Sequence, residues 1–112
     1  MAIQEKQLGQ LRPSGTTATS IYSPAASTTA IIKNIVICNT SSTSAKFSIY
    51  LDDDGSTYSE NTALSFEQSI PAKTTVVPFE GFFPMNNENG NLAVQTDSAN
   101  ALTFTVSGAE IT

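Results

Sequence analysis

A chain of 112 residues with 5 basic against 10 acidic side chains, net charge -5, fits one domain and presents no basic face to a phosphate backbone, so nucleic acid is excluded as a natural partner. Histidine is absent and cysteine occurs once, which leaves general acid–base and nucleophilic catalysis without their usual residues. Charged residues are only 13%, so the polar surface falls to 14 Ser, 15 Thr and Asn, and threonine's branched β-carbon favours pleated strand over helix.

Residues 1–19 mix Gln, Lys, Gly, Pro and Thr, and their apolar members Ile3, Leu8 and Leu11 define no stripe on either period. This segment reads as an extended N-terminal arm: a loose terminus, or a segment that orders against a neighbouring subunit. The domain proper is expected over residues 20–112. Its first strand is short, residues 20–22, and closes at Ser23-Pro24. A second strand over 28–39 carries Ile31, Ile32, Ile35, Val36, Ile37 and Cys38 almost without a break, which implies cover on both faces, either by two layers of this domain or by a second subunit.

In residues 45–51, Phe47, Ile49 and Leu51 alternate with Lys46, Ser48 and Tyr50, the period of two that marks a strand. Asp52-Asp53-Asp54-Gly55 ends it in a turn. Leu64, Phe66 and Ile70 mark a fourth strand, Pro71-Ala72 breaks it, and residues 74–79 give a fifth whose Pro78 belongs at a sheet border. Residues 86–91 carry a hairpin signal, followed by strands over 92–96 and 101–107, where Leu102, Phe104 and Val106 again alternate with polar residues. Seven or eight short strands without a helix predict an all-β chain, a single β-sandwich of jelly-roll or immunoglobulin-like topology.

Few groups could carry chemistry. Asp52, Asp53 and Asp54 with Glu60 offer oxygen ligands to calcium, but lack the spacing of a calcium loop and read first as a solvated strand end. Cys38 has no histidine partner and reads as a small buried hydrophobe of a protein made in a reducing cytosol. Glu67, Glu80 and Glu110 are isolated along the chain. The expectation is therefore no enzyme, with no catalytic, cofactor-binding or metal-binding residues. No run approaches the ~20 apolar residues of a membrane helix, and the opening residues lack the apolar stretch of a secretion signal. Adjacent Phe82 and Phe83 cannot both face one core, so the cluster with Met85 reads either as core filling at a bend or as a surface of which part docks on a neighbouring subunit.

The stretch from Leu8 to Ile111 resembles small structural proteins of tailed bacteriophages. The residues that carry the resemblance are the Pro- and Ser-rich lead-in, the isoleucine-rich strand ending in Cys38-Asn39-Thr40, the strand FSIYL from Phe47, the Ile70-Pro71-Ala72 turn and the closing VSG from Val106. The resemblance implies a virion component made in host cytoplasm and present in many copies, either a head decoration (cement) protein or a tail- or fibre-associated one. Its implied partners are the major capsid protein or other virion proteins and copies of itself, with a trimer natural at local threefold points of a shell. The rival from another class is a receptor- or carbohydrate-binding module that uses Tyr22, Tyr50, Tyr58 or Phe83 as stacking platforms.

Overall fold

The structure, a computed structural model, describes residues 2–53, 57–85 and 89–112. Among them eight strands follow in order: β1 (Ile3–Leu11), β2 (Thr19–Tyr22), β3 (Thr29–Asn39), β4 (Ala45–Asp52), β5 (Ala63–Ile70), β6 (Thr75–Met85), β7 (Asn91–Thr96) and β8 (Leu102–Ile111). The first sheet has the order β1-β8-β3-β6 and the second β2-β7-β4-β5. First pairs with last, second with seventh, third with sixth and fourth with fifth, all antiparallel, as in one long hairpin. Rolling that hairpin on itself adds the β3–β8 and β4–β7 ladders. Eight strands in two sheets so arranged are a jelly roll, which decides between the two sandwich topologies that strand spacing left open.

The alternating residues of β8 and β4 build the core. Leu102, Phe104 and Val106 meet Ile32, Ile35 and Ile37 of β3 on one side of it, and Phe47, Ile49, Leu92 and Val94 form the other. Within this chain only the inner face of β3 is fully covered. Ile31, Val36 and Cys38 stay half-buried on its outer side, because a register slip between Ile32 and Asn34 adds a residue and resets which side chains point inward. Cys38 is accordingly not the fully buried thiol its apolar surroundings suggest.

Residues 3–11 depart from the expected arm. They form β1, an edge strand paired with β8 from Ile3–Ile111 to Leu11–Phe104. Backbone hydrogen bonds hold such a strand, so it needs few apolar residues, and only Leu8 and Leu11 pack on the core. Gly9 lies where β1 meets β2: a Cβ there would stand 2.6 Å from the Ile21 carbonyl oxygen, so the two sheets close along this side only over a bare backbone. Deleting residues 1–19 would remove a sheet edge rather than a tether.

β6 is the opposite edge of the first sheet. It continues past Phe79 to Met85 because an edge strand has one side without a ladder, where the missing N–H groups of Pro78 and Pro84 cost nothing. The segment after it, read as a hairpin, instead crosses to the other sheet, since β6 and β7 lie in different sheets. Asn86, Asn87 and Glu88 themselves lie outside the described residues.

Glu110 clasps the closed side. Its carboxylate accepts the Tyr22 hydroxyl at 2.6 Å from β2 and the Lys6 ammonium at 2.6 Å from β1. The hydrogen bond from Lys6, then that from Tyr22, holds this carboxyl below its usual range, while burial and Glu110 push the Tyr22 hydroxyl up. A depressed carboxyl stabilises the fold above its unfolded pKa of ~4.3, and the contribution fades as pH falls through the lower folded value. Tyr22→Phe should lower the melting temperature at neutral pH by roughly 4 °C. In melts repeated toward about pH 3, that difference should shrink as Glu110 takes up a proton.

Candidate functional site

A groove of about 830 Å³ lies along the second sheet, lined by β4, β5, β7 and the connection between β4 and β5. The polar half of the β4 alternation supplies Lys46, Ser48 and Tyr50, and Gln95 of β7 stands opposite Ser48 in the ladder. Tyr50 is only 2% exposed although it lies off the core side. Tyr58 from the β4–β5 connection covers it, ring centroids 6.3 Å apart and planes tilted 30°. The Tyr50 hydroxyl donates to Gln95 Oε1 at 2.6 Å, and Gln95 Nε2 donates to the Thr16 carbonyl at 3.0 Å. This chain fixes the floor.

The walls are fixed locally as well. Residues Glu60–Thr62 form a single 3-10 turn whose cap is reciprocal: Asn61 N donates to Ser59 Oγ, and Ser59 N donates to Thr62 Oγ1. Thr57 N donates to the buried Asp52 carboxylate at 2.9 Å, anchoring the start of the loop. On β5, Glu67 has φ 52 and its N–H donates to Ser48 Oγ at 2.9 Å, at a register slip between Phe47 and Ile49. A positive φ is costly for a side chain with a Cβ, and a bulge of this kind re-aims the residues beside it. Phe66, which marks the fourth strand by its apolarity, is 39% exposed and lines the groove. Three carboxylates, of Glu60, Glu67 and Asp97, share the lining with one ammonium, that of Lys46, so the groove is acidic.

No family model and no curated protein matches this sequence. Among solved structures, the chain is similar to a chain in the structure of infectious bursal disease virus, Gx strain, with a TM-score of 0.53 and 14% identity over 97% of its own length. It spans 32% of that neighbour's chain, about a third. What the two share is the fold.

The remaining sequence candidates fall elsewhere. Of the four proposed stacking residues, Tyr50 and Tyr58 meet in the groove, Tyr22 is engaged by Glu110, and Phe83 stacks edge-on against Phe79 at 5.7 Å. The aspartate run is divided: Asp52 is buried, Asp53 is exposed, and Asp54 and Gly55 lie outside the described residues. No group of three or more acidic or cysteine side chains positioned for a metal occurs among the described residues. Glu67, Glu80 and Glu110 sit on three different strands. No helix among the described residues is long and apolar enough to cross a membrane. The aromatic cluster splits, with Met85 buried, Phe83 half-buried and Phe82 73% exposed. Gln95 was not singled out by the sequence, where it is one polar residue in an alternating strand. The hydrogen bonds that give it a role span 45 and 79 residues.

Proposed function

We propose that this chain is a non-enzymatic structural component of a virus particle, a decoration or cement protein on the head of a tailed phage. The observation that supports it most is the jelly-roll likeness, along 97% of the chain, to a chain in a virus structure, in a sequence that resembles phage structural proteins. Its partners are then the major capsid protein or other virion proteins and further copies of itself, and its place is the virion, assembled in host cytoplasm.

β6 supplies a contact surface of the right character. Phe82 is 73% and Val77 44% exposed on a strand whose outer edge has no partner strand among the described residues. Aromatic anchors of this kind dominate binding energy at interfaces of the standard ~800 Å² per partner. Phe82→Ser is expected to leave the melting temperature within about 2 °C, since the ring is exposed, and to weaken particle attachment at least ~10-fold. Full occupancy of particles by this variant, measured by gel densitometry, would remove Phe82 from the interface.

The placement itself is tested by gold-labelled antibody on particles of the encoding phage. Label over the heads supports the cement role, label on the tail moves the protein to the adhesion apparatus, and unlabelled particles overturn the virion reading.

A further inference from the structure

We propose that the groove on the second sheet binds a neutral oligosaccharide. Its volume of about 830 Å³ lies within the ~300–1,000 Å³ of small-ligand sites. A sugar ring offers an apolar C–H face and a rim of hydroxyls that both donate and accept. The groove offers the counterpart to each. Tyr58, half-buried and braced from behind by Tyr50, presents an aromatic face, and Phe66 adds a second exposed ring on β5. Around them stand the Glu60, Glu67 and Asp97 carboxylates as acceptors and the Lys46 ammonium as donor, with side-chain amides at Asn61 and Gln95.

Two further observations favour this ligand class. Parts of the groove are held before any ligand arrives: the Tyr50–Gln95–Thr16 chain fixes the floor and the reciprocal Ser59–Thr62 cap holds the turn beside Tyr58. Little ordering is left for binding to impose, which suits the shallow contacts that sugars make. The charge is also selective. Three carboxylates against one ammonium repel phosphate and sialic acid, so neutral sugars fit better than anionic ones. The groove belongs to the second sheet and Phe82 to an edge of the first, so sugar binding does not depend on where or whether the protein sits on a particle.

The test is a titration of the 15N-labelled full chain with maltohexaose, cellohexaose and chitohexaose, with sialyllactose as the anionic probe, followed by amide chemical shifts. At least one neutral hexasaccharide should saturate with a Kd of about 1 mM or tighter. Its shifts should be confined to the groove lining: the Gln95 side-chain amide and the backbone of residues 46–50, 57–62, 66–67 and 95–97. Tyr58→Ala should weaken that binding at least ~10-fold while shifts remote from the groove stay in place. If Tyr58→Ala proves unfolded by its spectrum, Phe66→Ala on β5 replaces it, with the same expected loss. No shift with any neutral sugar, binding of sialyllactose alone, or undiminished binding by the folded variant overturns the proposal.

Discussion

Gly108→Ala is expected to destabilise the domain by about 3 kcal/mol or more, lowering the melting temperature by roughly 12 °C. Gly108 sits in β8, the strand flanked by β1 and β3, opposite Lys6 on one side and Ile32 on the other. A Cβ at this position would lie 2.0 Å from the Ile31 carbonyl oxygen and 3.0 Å from Leu8 Cδ1. The leucine tip could swing aside, but the carbonyl belongs to the ladder and cannot. Relief therefore means separating β8 from β3, at the strand pair that carries Phe104, Val106, Ile35 and Ile37 into the core. Ser107→Ala, one residue away and half-buried, provides the control and should stay within about 0.5 kcal/mol of the parent in urea denaturation. Coincident transitions for the two variants would show that β3 and β8 are not so closely apposed.

Asn39→Ala should cost a comparable ~3 kcal/mol through hydrogen bonds instead of packing. The side chain of Asn39 is fully buried at the end of β3. Its Nδ2 donates to the carbonyls of Thr43, Ile70 and Pro71 at 3.0, 3.1 and 3.2 Å, and its Oδ1 accepts from Ser41 N at 3.0 Å and Ser41 Oγ at 2.7 Å. One amide thereby ties the β3–β4 turn to the turn between β5 and β6. Truncation strips the buried Ile70 carbonyl of this donor. Asn39→Asp sharpens the test, because a carboxylate would face three carbonyl oxygens where an amide donated. Its destabilisation at neutral pH should exceed that of Asn39→Ala, and part of it should be recovered in acid, where the carboxyl regains a proton to donate. Equal stability of Asn39→Asp and the parent at neutral pH would refute this account of the turn.

The same residue marks how far the sequence is legible. Cys38-Asn39-Thr40 and Ile70-Pro71-Ala72 stand out as separate motifs, and only the fold shows that the first holds the carbonyls of the second. The inward-facing strands are readable because burial on one face imposes the period of two: β4 and β8 were expected over 45–51 and 101–107 and are observed over Ala45–Asp52 and Leu102–Ile111. β1 is illegible by that signal, since its stability comes from backbone pairing to β8 and its side chains are mostly exposed. β6 is legible to Phe79 and then obscured by prolines that an edge strand accommodates. In the groove, Tyr50 and Tyr58 could be named as rings in advance. Their meeting could not, nor could the register slip at Glu67 beside the groove-lining Phe66, because both follow from strand register and not from composition.

The nested pairing of the strands also fixes an order of events during synthesis. β4 and β5 are neighbours in sequence and can close early, whereas each outer pair encloses a longer loop, and β1 waits for β8, about a hundred residues later in the chain. Loop closure of that span comes late and slowly, on the ms–s scale of domains dominated by distant pairings. Until then β1 emerges from the ribosome with both ladder edges open. Its sparse apolar content and its Glu5, Lys6 and Gln7 make that unpaired interval tolerable, because a polar strand is a poor template for aggregation.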